Sequence, residues 1–459
     1  MPDVRPAWAL ALASAAQFLL QMNFATANVA LPAIQSELGF EPAALQWVVT
    51  GYALTFGALL LLGGRLGDLV GHRRSLLIGL LFFALSSLAG GLAPSGGLLI
   101  GARLVQGASA AMVAPALLAL VAGAYVEPDA RARAMSIFQG STAAGAAAGI
   151  VFGGVLIEAA GWRWVLLVNI PVVALLSAAF LWRVPASVAR RGARLDLGGG
   201  LTATGAIAAL IVAVTQARQS GPVVAGAALA VAVLLTALFV VIERRGSDPM
   251  LPGGLVRGER AVVLVVNLIV GLVLAGYVYF ISLYLQLVLG FTALMAGLAL
   301  LPATSSAMLI SVFVSGRLLR VLGERWQGVL SLVLLMVGQL WLTQVRADGT
   351  YLVDVLGGIL FTSAGLGLAL PAMSVAVTAG VAPHQRGVAG ALYVAGQQIG
   401  GAVGVAVLVG ISAASTAASG APITGYEVAF LTTALLTLLG AVTLGISTVR
   451  ARRGQVPQE

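Results

Sequence analysis

Apolar runs of about twenty residues, divided by short polar breaks, recur from end to end of this chain. A run of that length matches the ~30 Å hydrocarbon thickness of a bilayer when coiled as a helix. Ten-residue segments of alternating character, the mark of a membrane β-barrel, are not the pattern here. The pattern predicts an all-α membrane protein with spans near 8–30, 45–66, 75–94, 97–124, 133–157 and 164–183, then 197–216 and 222–242, and finally 261–287, 292–316, 327–345, 351–380, 388–412 and 428–449. The polar breaks group these as six, two and six. A basic segment from Arg183 to Arg194 closes the first group, and a polar one from Glu243 to Arg260, with Pro249 and Pro252, precedes the last. The expected organisation is therefore an N-terminal six-helix bundle over 1–184, a linker with two additional helices over 185–260, and a C-terminal six-helix bundle with a short tail over 261–459. The first run carries Gln17, Gln21, Asn23 and Asn28 and has no clear small-x-small cleavage site, so it reads as a retained helix rather than a signal peptide.

Composition agrees. Hydrophobic residues make up 60% of the chain and charged residues only 9%, against about 25% charged in soluble domains. Mean hydropathy is +1.03. The formal charge of +9 would suggest nucleic acid in a soluble protein. Here basic cytoplasmic loops account for it, and no nucleic-acid partner is expected. With both termini cytoplasmic, Arg73, Arg74, Arg131, Arg133, Arg190, Arg191, Arg244, Arg245, Arg257 and Arg325 fall inside, and Arg163, Arg218 and Arg346 outside. A missed helix would invert this order, so the agreement favours fourteen spans. The chain has no cysteine, which excludes disulfides, thiol catalysis and thiolate metal sites. Its two histidines, His72 and His384, fall in expected loops far apart, so no metal site is expected. There is no lysine and no phosphate-binding G-x-x-x-x-G-K-[ST] loop, so a nucleotide cannot supply energy through that motif.

Residues 63–76, GGRLGDLVGHRRSL, combine glycines at helix-turn spacing with Asp68 at a span end and Arg73 and Arg74 just beyond. Such a carboxylate can pair with a neighbouring helix and be released again, as a latch does. A degenerate copy lies at Gly316-Arg317-Leu318-Leu319-Arg320-Val321-Leu322-Gly323, with Arg320 where Asp68 stood. Two halves with the same frame suggest duplication. Arg103 lies within an apolar span, where a charge costs roughly 2.5–3.5 kcal/mol on insertion scales and normally faces a bundle interior. Asp354, one turn into its span, reads as a solvated helix-start acid, and Glu158 lies near a span end. Gln21, Asn23, Asn28, Gln106, Asn267, Tyr277, Tyr284 and Gln397 place amides and phenols within spans. They suit either a substrate cavity or ordinary interhelical hydrogen bonding. Gly145, Gly149, Gly153 and Gly154 on the fifth span allow close helix approach, whether for tight packing or for movement.

Several phrases together resemble the major facilitator superfamily, in its fourteen-helix drug:proton antiporter group. They are G-R-L-G-D-x-x-G-H-R-R at 64–74, R-x-x-Q-G-x-x-x-A from Arg103 to Ala111, and the fifth-helix glycines Gly145 to Gly154. To these are added Asn28-Val29-Ala30-Leu31-Pro32, Gly161-Trp162-Arg163-Trp164, Asn169-x-Pro171 and Gln398-Ile399-Gly400-Gly401. The resemblance covers nearly the whole chain. It implies the major facilitator fold, with two six-helix bundles alternately opening a central site and two extra helices in the linker. It also implies export of lipophilic compounds against inward proton flow, with Asp68, Arg73 and Arg74 in gating and Arg103 in proton coupling. Two positions depart from the group. Asn23 stands where an Asp is usual and cannot titrate, and Ile150 stands where a Pro is usual, which restores a backbone donor.

The expectation is a secondary exporter of drugs or antibiotics in the bacterial inner membrane, acting as a monomer without a bound cofactor and driven by the proton gradient. An exporter of a metabolite or lipid, with or without proton coupling, fits the same residues. A membrane enzyme would need a nucleophile–base pair or metal cluster within the spans, and neither is legible.

Overall fold

The computed structural model describes residues 6–40, 42–45, 47–125, 127–185, 197–216, 221–245, 256–382 and 385–453. These residues form α1 (Pro6–Leu38), α2 (Pro42–Leu45), α3 (Trp47–Val70), α4 (His72–Gly91), α5 (Gly96–Ala124), α6 (Pro128–Ala160), α7 (Arg163–Leu167), α8 (Asn169–Arg183), α9 (Leu197–Gln216) and α10 (Gly221–Arg245). Then follow α11 (Glu259–Leu283), α12 (Ala293–Ala299), α13 (Leu301–Leu309), α14 (Gly316–Leu342), α15 (Leu356–Thr378), α16 (Arg386–Ser419) and α17 (Pro422–Arg453). Three π-helical stretches, Tyr284–Val288, Ile310–Ser315 and Tyr351–Val355, continue or introduce helices. No strand occurs among the described residues. Eleven helical stretches among them are long and apolar enough to cross a membrane.

The packing logic is that of helices in lipid. Large apolar side chains such as Leu81, Phe82, Leu175 and Trp182 point outward, whereas small residues such as Ala110, Ala111, Ala119 and Ala122 fill the interior of α5. Hydrocarbon solvates leucine as well as a protein core does, so close backbone contact selects what goes inside.

Local chemistry moves several expected boundaries. The span expected at 292–316 is not one helix. It comprises α12, α13 and the Ile310–Ser315 π-helical stretch, and Pro302 lies at the start of α13, where its missing N–H costs no ladder bond. Helix α14 breaks at Gly323, whose φ of 77° is open to glycine and strained for other residues. His72, expected in a loop, instead opens α4 and is buried; His384 lies outside the described residues. Asp354, expected to be solvated, is also buried. Its carboxylate accepts the Arg346 guanidinium at 3.0 Å and the Thr350 backbone N–H at 2.6 Å, which ties the 343–350 loop to the following helix.

The chain folds into two compact units. The first contains 1–127, 141–253 and 380–395; the second contains 128–140, 254–379 and 396–459. Two helices therefore belong to both: α6 starts in the second unit and ends in the first, and α16 does the reverse.

Each unit seats a glycine-notched helix on a partner in the same way. In the first, a Cβ on Gly145 or Gly149 of α6 would lie 2.5 or 2.6 Å from the backbone carbonyl of Phe18 or Met22 on α1, and one on Gly153 would lie 2.7 Å from the Thr26 methyl. In the second, a Cβ on Gly400 of α16 would meet the Leu268 carbonyl of α11, and one on Gly404 would lie 2.3 Å from the Leu272 side chain. Of the fifth-span glycines, Gly154 alone meets nothing within 4 Å, so close approach explains the other three and not this one.

Candidate functional site

The polar centre of the first unit is built around Arg103. Helix α5 carries it inward until 1% of its surface remains exposed. Its Nε donates to the Val48 carbonyl of α3 at 2.8 Å, and its Nη1 donates to Asn23 Oδ1 of α1 at 3.0 Å and also to Gln106 Oε1 one turn along α5. The guanidinium lies 4.5 Å from the centre of the Tyr52 ring. The chain of bonds continues through Gln106 Nε2, which donates to Ser87 Oγ at 2.7 Å; Asn169 Nδ2 reaches the same hydroxyl at 3.4 Å.

An arginine has only donors, so the amide oxygen of Asn23 must be the atom facing it, and the amide nitrogen then points elsewhere. Among the described residues, the groups that hydrogen-bond or stack on Arg103 are neutral: two amides, a carbonyl and a phenol ring. Its Nη2 and the Nδ2 of Asn23 are buried donors with no hydrogen-bond acceptor.

One end of the same unit holds Asp68, the carboxylate expected to act as a latch. Asp68, at the end of α3, is buried, and its two oxygens accept the backbone N–H groups of Gly387 and Val388 at 2.8 and 2.9 Å. Those are first-turn donors of α16, which lack intrahelical acceptors and carry the positive end of the helix dipole. Glycines bring the backbones together: a Cβ on Gly64 would lie 2.6 Å from the Gly387 carbonyl and 2.5 Å from the Ala391 methyl. His72 Nε2 stands 3.5 Å from Asp68 Oδ1. Arg73 donates to the Leu181 carbonyl at 2.7 Å, while Arg74 is exposed.

The other end is held by Glu37. It accepts Trp162 Nε1 at 2.7 Å and Arg163 Nη1, while Arg163 Nη2 donates to the Ala93 carbonyl at 3.2 Å. The hydrogen bonds from Arg163 and then Trp162 hold the Glu37 carboxyl below its ordinary value of 4.5. This is the structural work of the Gly161-Trp162-Arg163-Trp164 phrase.

The remaining polar candidates divide between the two units. Gln21 is half-buried beside Gly145, and Asn28 is exposed and donates to the Phe24 carbonyl within its own helix. In the second unit Asn267 is fully buried and accepts Gln397 Nε2 at 3.4 Å. Tyr277 is buried near Ser363. Tyr284 sits in an apolar cluster with Phe280, Tyr426 and Phe430, and its hydroxyl donates to the Arg346 carbonyl at 2.8 Å, so it braces a loop rather than offering a free phenol.

Sequence reading missed Tyr52, Ser87 and Asn169 as parts of the Arg103 centre. Tyr52 and Ser87 look like ordinary span residues. Asn169 had a signal, since it stands in the Asn169-x-Pro171 phrase. The described residues hold no cluster of three or more metal-ligating side chains.

Comparison with known proteins bears on this arrangement. The sequence pattern of the Major Facilitator Superfamily matches residues 13–405. The chain is 39% identical to the puromycin resistance protein pur8 of Streptomyces alboniger, over 91% of this chain and 84% of that protein. It is 37% identical to the cephamycin export protein CmcT of Amycolatopsis lactamdurans, over 97% and 93% of the two chains. The methylenomycin A resistance protein of Bacillus subtilis is 32% identical over 84% of this chain and 83% of its own. Among solved structures, the human organic anion transporter MFSD10 superposes with a TM-score of 0.72 at 18% identity, covering 96% of this chain and 99% of that one. The proton:xylose symporter XylE gives 0.67 at 14% identity, covering 95% and 94%. At those identities the structures speak to the fold alone.

Proposed function

The chain belongs to the Major Facilitator Superfamily, and from that premise we propose that it exports antibiotics or similar lipophilic small molecules across the bacterial inner membrane. It is a transporter and not an enzyme. Its relatives in the 32–39% identity range include proteins named for puromycin resistance, cephamycin export and methylenomycin A resistance. Two are named for resistance to a compound and one for export of one, and the three compounds differ.

The observation that carries the reading is the Asp68 carboxylate on the bare N–H groups of α16. Two charge-assisted bonds to a helix start are strong enough to hold one conformation, and being non-covalent they can be released. Alternating access needs contacts of that kind. The export direction draws its support from the relatives.

Fourteen spans remain the reading that best suits the helices. Met295–Leu342 runs for 48 residues, about 72 Å as a continuous helix, which is more than twice the bilayer core. With its break at Gly323 it supplies two crossings. Helix α1 and the apolar Gly198–Ala213 stretch supply two more beyond the remaining stretches. In this reading both termini are cytoplasmic, and the two central-linker helices α9 and α10 follow the first six-helix bundle and precede the second along the chain. The transporter works as a monomer, without a bound cofactor, driven by the proton gradient.

Two measurements test this. Cells with and without the gene are compared for growth across an antibiotic panel; an identical profile rejects export of such compounds. Proteoliposomes holding the purified protein are then given an imposed pH gradient. Substrate flux indifferent to both that gradient and the membrane potential rejects proton coupling.

A further inference from the structure

The geometry points to an anion-binding site at Arg103 and Asn23, and we infer that the exported substrate carries a carboxylate or equivalent acidic group that docks there. This rests on the exporter reading and narrows it to acidic compounds.

The argument starts from charge. A guanidinium stays protonated under any physiological condition. In this unit it is sealed from water, and among the described residues the groups that hydrogen-bond to it are neutral. Carboxylates on the same helices are remote. Asp68 lies roughly 30 Å along α3 from Val48, and Glu37 roughly 21 Å along α1 from Asn23, at 1.5 Å per residue. Asp68 is in any case committed to α16. A buried charge without a counter-charge is costly, and proteins normally pair it.

The second observation concerns hydrogen bonds. Arg103 Nη2 and Asn23 Nδ2 are both buried donors lacking an acceptor, although buried donors are nearly always satisfied. They belong to two side chains already bonded to each other at 3.0 Å. Two neighbouring orphan donors and one uncompensated positive charge ask for the same thing, an acceptor that is negative. A carboxylate fits, because it brings negative charge and two acceptor oxygens, enough for Arg103 Nη2 and Asn23 Nδ2. An ammonium group brings donors and positive charge to a place that already has both in excess. Tyr52 covers one face of the guanidinium but contributes no charge.

Asn23 is the residue that keeps the site open. An Asp there would supply the missing charge from the chain and put an acceptor where the Nδ2 donor stands. Gln106 offers the same control on the other side, since Gln106→Glu would also place a carboxylate against Arg103.

The test uses the purified full-length protein in nanodiscs, with 4-phenylbutyrate, its uncharged amide and sodium chloride as probes, each titrated at pH 7.5. Thermal unfolding midpoint and tryptophan fluorescence are read in parallel. The acid is expected to shift both signals, and the amide and chloride are not. Asn23→Asp and Gln106→Glu, both near-isosteric, are each expected to weaken the response to the acid at least tenfold. Equal responses to acid and amide, no response to the acid, an equal response to chloride, or an undiminished response in both variants overturns the site. Resistance growth is scored separately on the same variants. A protein that confers no resistance to any compound defeats the exporter reading whatever the binding result. A protein that confers resistance but treats acid and amide alike defeats only the anion site.

Discussion

Asp68 and Gly387 are 319 residues apart in sequence, and the carboxylate of one accepts the backbone N–H of the other at 2.8 Å. A neighbouring bond to Val388 makes the contact two-pronged. It joins the end of α3 to the first turn of α16 without using a side chain from α16.

Replacing Asp68 by Asn keeps the shape and removes the charge. Hydrogen bonds to charged groups contribute about 1.5–3 kcal/mol, and the variant should lose about that much in unfolding measurements. Its resistance phenotype should fall to that of cells without the gene while membrane levels stay within about twofold. Wild-type resistance in Asp68→Asn cells removes the latch role.

Gly149 and Gly154 make an internal control on one helix. Gly149→Val should destabilise by about 1–3 kcal/mol, because the new side chain meets the Met22 backbone. Gly154→Ala, which meets open space, should stay within about 0.5 kcal/mol. Equal effects at the two positions contradict the packing described for α1 and α6.

The Glu37 pair predicts a pH dependence with a definite sign. Its carboxyl is held below 4.5 by Arg163 and Trp162, so the folded state favours the ionised form. The contribution is present above that ordinary value and is lost as pH falls through it toward the lowered one. Wild type should unfold at a higher temperature than Glu37→Gln at pH 7, and the gap should close in the more acidic range. A gap that widens on acidification has the wrong sign.

Asp354 should matter for stability and little for specificity. Asp354→Ala removes the bond to Thr350 and the pair with Arg346, at a cost of about 1–3 kcal/mol. The ranking of compounds in a resistance panel should be unchanged. A reordered ranking would place Asp354 in the substrate path.

What the sequence disclosed, and what it hid, divides along physical lines. Span positions were legible because lipid demands long apolar runs, and α3, α5 and α8 lie close to where the pattern put them. Arg103 and Asp68 stood out because charge is rare in such runs. Partners were not legible. Asp354 looked like a solvated helix-start acid because nothing in the chain announces that Arg346, eight residues earlier, turns back onto it. Tyr284 looked available for substrate because its loop-bracing bond to the Arg346 carbonyl is tertiary. Tyr52 and Ser87 carry no sequence signal at all, since their importance lies in which helix faces Arg103. The break inside the span expected at 292–316 depends on π-helical turns, which the hydrophobic period does not distinguish from α-helix.

The glycines of α6 and α16 recur every fourth residue, at 145, 149 and 153 and at 396, 400 and 404. Four residues of helix advance about 6 Å. Each row of three therefore opens a groove about 12 Å long on one side of its helix. Along that length α1 and α11 lie nearer to their partners than any larger side chain would permit, so one bulky replacement wedges the pair apart over the whole groove.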